Sequence, residues 1–220
     1  MSKEDLNMVV NELAVKKILD ELNDVKLIAA TKYVGIDEIN KLENLGVMYF
    51  GENRVQAFLE KYQKYNGNCK FHMIGTLQPN KVKYIIDKVD LIHSVDSYSL
   101  IKEIEKQANK HNLVMKVLIQ VNISKEESKH GFKVEEIEEV FDTLKNYPHI
   151  EVKGLMMMAP NIEAEKTREY FKLTQDLFNK LKIKYPEYSL TELSMGMSND
   201  YKIALEYGAT MVRIGSSLFK

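Results

Sequence analysis

Eight short β-rich runs, each separated from the next by a helical stretch, constrain what this chain can fold into more than any other feature of it. The runs are VKLIAAT at 25–31, VMYFG at 47–51, FHMIG at 71–75, DLIHSV at 90–95, MKVLIQVN at 115–122, VKGLMMM at 152–158, LTELSM at 190–195 and TMVRIG at 210–215. Helical patterns fill 36–45, 53–65, 79–87, 97–110, 134–146, 163–183 and 198–207, with an extra helix expected at 4–22. Strands that alternate with helices, rather than gathering in blocks, form βα units and a parallel sheet. Eight such units in 220 residues predict an α/β protein built as a compact (βα)8 (TIM) barrel with an additional N-terminal helix. A doubly wound open sheet uses the same units, but it usually has fewer strands. The G-x-G-x-x-G turn of a dinucleotide site is also absent after the first run. The last run ends at Gly215 and the chain stops at Lys220, so a single barrel domain is expected over residues 1–220.

Composition narrows the function classes. With 45% apolar residues the chain can bury about 70% of its unfolded surface around one core. Its formal net charge of −1 supplies no field to hold a polyanion, so no nucleic-acid partner is expected. No run approaches the roughly 18 apolar residues of a membrane helix, and residues 1–22 mix acids and bases with no signal-peptide core. A cytoplasmic protein is expected. Cys69 is the single cysteine, so no internal disulfide is possible, and the five histidines show no metal-binding spacing.

In (βα)8 barrels the active site lies at the C-terminal ends of the strands, so the residues there can be read in turn. Lys32 ends the first run. A strand-end lysine is ordinarily solvated. Desolvated in a barrel mouth, its pKa falls from ~10.4 toward neutrality and the amine becomes a nucleophile toward aldehydes, the chemistry of a Schiff base. SMGMSND at 194–200 follows the seventh run, with Ser198 suited to an N-cap and Gly196 to close backbone approach; RIGSSLF at 213–219 follows the eighth. Either turn alone could be a capped helix start. On adjacent strands, where barrels commonly bind phosphate, the two together predict a phosphate site. Arg213 lies inside the last run, where alternation puts Met211, Arg213 and Gly215 on one face and Val212 and Ile214 on the other. An arginine there needs either a carboxylate such as Glu192 or a wet mouth. Lysine, anion turns and inward arginine are in combination what pyridoxal 5'-phosphate requires.

Other residues have plainer readings. His72 and His93 sit among apolar neighbours, as hydrogen-bonded core or pocket-lining histidines do. Met156 to Met158 form an apolar run expected to pack, with room for one of them to touch a cofactor. Lys129 and His130, in the loop after the fifth run, could shape the mouth.

Eight motifs then carry a resemblance: AATK ending in Lys32, FGENR at 50–54, HMIGTLQPNK at 72–81, SVD at 94–96, QVNISKEESKHGF at 120–132, GLMMMAP at 154–160, SMGMSND at 194–200 and RIGSSLF at 213–219. In this order, over nearly the whole chain, they resemble the pyridoxal phosphate homeostasis proteins, the YggS/PROSC family. The resemblance implies a barrel of the kind that forms the N-terminal half of alanine racemase, with pyridoxal 5'-phosphate (PLP) as cofactor. It implies Lys32 as the residue bonded to the cofactor and Arg213 near the ring nitrogen. Ser198, Gly215 and Ser216 would surround the phosphate, Asn53 would lie near the cofactor, and His72 and Met195 would line the pocket.

Arginine stays protonated and can only donate to a pyridine nitrogen, so that nitrogen stays unprotonated and the ring is a weaker electron sink than an acid partner would make it. Racemases of similar architecture add a second acid/base from a C-terminal domain and partner subunit, and this chain ends at the barrel. The expected function is a PLP-binding protein of intracellular vitamin B6 homeostasis, holding PLP as a Schiff base on Lys32 without robust turnover and without a catalytic residue. A weak PLP-dependent amino-acid racemase is the second reading, and a cofactor-free Schiff-base lyase or aldolase on a phosphosugar the third. PLP and apo PLP-dependent enzymes are the expected partners, and a barrel without an added interface domain is expected to be a monomer.

Overall fold

The structure is a computed structural model that describes residues 8–127 and 130–220. Runs buried on both faces become the strands: β1 (Lys26–Ala30), β2 (Tyr49–Glu52), β3 (Lys70–Met73), β4 (Leu91–Val95), β5 (Met115–Asn122), a two-residue β6 (Phe132–Lys133), β7 (Ile150–Met156), β8 (Glu192–Ser194) and β9 (Met211–Ile214). Eight of them close a parallel barrel in the order β1-β2-β3-β4-β5-β7-β8-β9, with β9 returning to β1. The predicted (βα)8 barrel is therefore the fold. The extra strand β6 pairs with the end of β5, Val121 opposite Phe132, and takes no part in closure.

Around the barrel lie α1 (Glu12–Leu22), α2 (Ile36–Asn44), α3 (Val55–Tyr62), α4 (Tyr98–Lys110), α5 (Ile137–Leu144), α6 (Arg168–Lys184) and α7 (Tyr201–Glu206). Two expectations are corrected. Between β3 and β4 the chain forms a 3-10 helix, Pro79–Tyr84, instead of an α-helix over 79–87. The amides of Lys81 and Ile85 bond three residues back, and that tighter winding buries Val82 and Ile85, also three apart, on one face. The N-terminal helix starts at Glu12, where Asn11 Oδ1 accepts the Ala14 amide at 3.3 Å. Val10 instead makes an antiparallel bridge to Phe219, and the Lys220 amide donates to Val9 O at 2.8 Å, so this segment is tied to the last one. Residues 4–7 of the expected helix lie outside the described residues.

Alternation along the strands divides the apolar core in two. Outward-facing residues such as Ala29, Phe50, Phe71, Val117 and Val212 meet the helices in one large cluster. Inward-facing Ile28, Leu91, Leu118, Met156 and Met211, with Ile74 just beyond β3, form a small plug inside the barrel. Gly51 faces this plug, where an added Cβ would lie 2.7 Å from Ile74 Cδ1 and 2.9 Å from Ile28 Cγ2, so only glycine leaves the plug its volume.

Candidate functional site

A cavity of about 750 Å³ opens at the C-terminal end of the barrel, the end where the strands of this fold present their functional residues. Six of the eight predicted site residues line it: Lys32, Asn53, Ser198, Arg213, Gly215 and Ser216. His72 and Met195 are not among the lining residues. His72 lies two residues before Ile74, which does line the cavity, and so sits one layer deeper in the barrel, buried. Met195 follows an inward-facing Ser194 and by alternation turns outward, into the cluster between sheet and helices.

Arg213 projects inward beside Met211, as the pattern of the last run predicts, and is nearly fully buried. Its carboxylate alternative is taken: Glu192 is bound by Lys26 Nζ at 2.5 Å and by the Thr210 hydroxyl at 2.7 Å. Arg213 instead donates from Nη1 to Ser194 Oγ at 2.6 Å and from Nη2 to Met157 O at 2.9 Å. Burial draws its pKa down to about 10, partly offset by the nearby Asp200 carboxylate, so it stays a cation at neutral pH. Two anchored nitrogens fix the plane of the guanidinium in the cavity wall.

The two small-residue turns follow neighbouring strands, β8 and β9, and so meet in one wall. Ser198 does not cap a helix: α7 begins at Tyr201, and Asp200 Oδ1 accepts the Met197 amide at 2.7 Å to close the turn that holds Ser198. Gly196 adopts φ +96°, and a Cβ there would lie 2.7 Å from that of Ala204. On the opposite wall, Gly75 lets Asn53 in, since a Cβ at 75 would stand 2.4 Å from Asn53 O.

Lys32 reaches the cavity but is exposed, with Nζ 4.4 Å from the centre of the Tyr33 ring, so the desolvated setting considered for it is not the one found. The backbone beneath it is held tightly. Glu52 Oε1 accepts the Thr31 hydroxyl and Lys61 Nζ at 2.7 Å, and Lys61 Nζ also donates to Thr31 O. Buried Glu52 and half-buried Lys61 together clamp the end of β1 immediately before Lys32. Lys61 is missing from the sequence reading, although one signal was available: it lies three residues after the buried Phe58 and so on the inner face of α3. The Met run divides by alternation, with Met156 in the plug, Met157 in the outer core and Met158 on the cavity. His130 lines the mouth, its Nδ1 3.4 Å from Asp96 Oδ2, while burial holds the Asp96 carboxyl above its ordinary range. Lys129 lies outside the described residues.

A closed parallel barrel whose one rim gathers an amine, a fixed guanidinium and two small-residue turns defines the class: a (βα)8 barrel built to receive a small anionic molecule. The family model of the alanine racemase N-terminal domain matches residues 11–220. A protein of Aquifex aeolicus named pyridoxal phosphate homeostasis protein is 45% identical over 199 residues, covering 90% of this chain and 87% of its own. One of the same name from Haemophilus influenzae is 35% identical, covering 98% of this chain and 93% of its own. The solved structure of PipY from Synechococcus elongatus PCC7942 with PLP bound superposes with a TM-score of 0.88 at 30% identity, over 95% of this chain and 99% of that one. Alanine racemase of Clostridium difficile 630, at 17% identity and a TM-score of 0.75, covers 94% of this chain and 55% of its own and shares the fold. The chain belongs to the alanine racemase N-terminal domain family and, within it, to the pyridoxal phosphate homeostasis proteins.

Proposed function

We propose that this chain is a PLP-binding protein of intracellular vitamin B6 homeostasis, acting as one barrel domain that holds the cofactor through Lys32 without robust turnover. The observation that carries the reading is the convergence of Lys32, Arg213, Ser198, Gly215 and Ser216 on a single cavity. The names of its relatives and the PLP-bound PipY structure support the same cofactor. The residues fit it: an accessible amine, an anion cradle of small residues and a fixed donor are what an aromatic aldehyde phosphate needs. Bound there, PLP supplies an aldehyde that condenses with an amine and a ring that withdraws electrons.

This chain's own groups then divide the work. Lys32 presents its amine from a strand end fixed by Lys61 and Glu52. Ser198, Gly215 and Ser216 hold the phosphate, and Asn53 closes the opposite side. Arg213 donates and cannot accept, so a ring nitrogen facing it stays unprotonated, which favours holding over carbanion chemistry. His72 and Met195 stand outside the cavity lining and take no direct part in this division. Apo PLP-dependent enzymes are the proposed recipients, and the protein works as a monomer inside the cell. Among the described residues no helix is long and apolar enough to cross a membrane.

Borohydride reduction of the purified protein followed by peptide mapping tests the site. The yellow colour is expected to bleach and the label to sit on Lys32, with no label in Lys32→Ala; a label elsewhere, or none, overturns the reading. Rapid exchange of amino-acid α-protons in deuterated water, dependent on Lys32, would move the protein to the racemase class.

A further inference from the structure

A line of buried hydrogen bonds crosses the barrel interior below the cavity. Arg213 Nη1 donates to Ser194 Oγ at 2.6 Å, Ser194 Oγ lies 2.9 Å from His93 Nδ1, and His93 Nε2 lies 2.9 Å from His72 Nδ1. The far nitrogen, His72 Nε2, faces Asp90 Oδ2 at 3.8 Å and has no hydrogen-bond partner among the described residues. Ser194 and His93 are wholly buried and His72 very nearly so. Four polar side chains placed end to end in a barrel core cost desolvation, which three hydrogen bonds only offset.

Proton counting gives the line a direction. Ser194 has one hydrogen to donate, and its oxygen already accepts from Arg213. Donated to His93 Nδ1, that hydrogen leaves His93 protonated on Nε2, which donates to His72 Nδ1. His72 is then protonated on Nε2 and turns an N–H toward the Asp90 carboxylate. The reverse assignment leaves the Ser194 hydrogen without an acceptor among the described residues and sets a bare nitrogen lone pair against a carboxylate. Burial keeps both rings neutral, with the His72 pKa drawn down to about 4 and that of His93 well below its ordinary value. A doubly protonated ring would break the order in either direction.

We propose that His72, His93 and Ser194 form a one-directional hydrogen-bond relay, anchored by Asp90, that fixes the Arg213 guanidinium in the cavity wall. They are positioning residues: none of the three lines the cavity, and they act through Arg213. The relay holds Ser194 Oγ as an acceptor toward Arg213, which with Met157 O fixes two corners of the guanidinium and leaves its remaining donors for the cavity. Its consequence for the cofactor rests on the PLP reading above; its existence does not.

The first test is ¹⁵N NMR of the histidine rings in the protein free of PLP at neutral pH. His72 and His93 are both expected neutral with the proton on Nε2. A proton on Nδ1 of either ring, or a charged ring, overturns the relay whatever the protein binds. Asp90→Asn, at a partly exposed position, is expected to give His72 a second tautomer; an unchanged His72 would remove Asp90 as the anchor. The second test reads PLP affinity. Ser194→Ala is expected to weaken PLP binding about tenfold or more, the loss of a hydrogen bond to a charged group, and to broaden the Arg213 guanidinium signals in the PLP-free protein. His93→Gln, which can still accept from Ser194, is expected to restore most of the affinity lost in His93→Phe. Equal affinities for Ser194→Ala and the parent chain, with intact tautomers, would leave the relay without effect on the site and overturn the positioning role.

Discussion

The apolar annulus between barrel and helices and the interior of the barrel are made by the same strands, yet they differ in size and chemistry. The annulus gathers more than fifty buried apolar residues, and its aromatic members interlock: Phe50 and Phe58 each lie within 5.6 Å of Phe71, centre to centre. The interior has six buried apolar residues, and beside them Arg213, Ser194, His93 and His72 share the same inward face. Burying a large apolar side chain contributes about 1.5–3 kcal/mol, while a buried polar group is at best offset by its hydrogen bonds. Stability therefore resides mainly in the annulus, and the interior can be given over to a site.

Three measurements would break or sharpen that contrast. The largest effect is expected in the annulus. Phe171→Ala, at a fully buried position on the inner face of α6, should cost about 3–5 kcal/mol in a urea titration while the surviving folded protein keeps its full PLP stoichiometry. A parallel loss of PLP sites would show that the two regions are not separable.

An effect of intermediate size is expected from the interior. The His72 pKa falls from 6.5 in the unfolded chain to about 4 in the fold. Between those values the unfolded state binds a proton that the folded state refuses, so stability falls as the pH drops through this window, by about 3 kcal/mol from this group. Half-buried Asp96 and buried Asp200, both raised by desolvation, pull the other way, so the diagnostic is the difference between the parent chain and His72→Gln. Stability-versus-pH curves should converge toward acid pH; parallel curves would mean that His72 is not the group refusing the proton. The smallest effect is expected outside both regions: Ile183→Ser, 84% exposed, should shift stability by less than about 0.5 kcal/mol. A larger loss would mean that the annulus extends further out than its buried residues indicate.

The sequence was legible wherever the information is local. Alternation and run length predicted the barrel count, and the strand-end rule put Lys32, Arg213 and the turns holding Ser198, Gly215 and Ser216 at the rim, while Asn53 came from the family resemblance. The departures come from hydrogen bonds that neither alternation nor run length encodes. Lys61 has no marker in its own helix beyond its spacing from Phe58, because its role depends on Glu52 being brought beneath it. Ser198 was expected to cap a helix; Asp200 forms the turn instead, a choice that depends on the Met197 amide.

By itself, then, the sequence determined the class of fold, the rim that carries the site, and the identities of Lys32 and Arg213 there, because period-two burial and strand ends are properties of neighbouring residues. Only the tertiary structure decided that His72 lies a layer below the residues that line the cavity, that Met195 turns away from it, and that His72, His93 and Ser194 stand in line behind Arg213. His93 and Ser194 are 101 residues apart in the chain, and the register that closes the barrel is what brings their polar atoms to 2.9 Å.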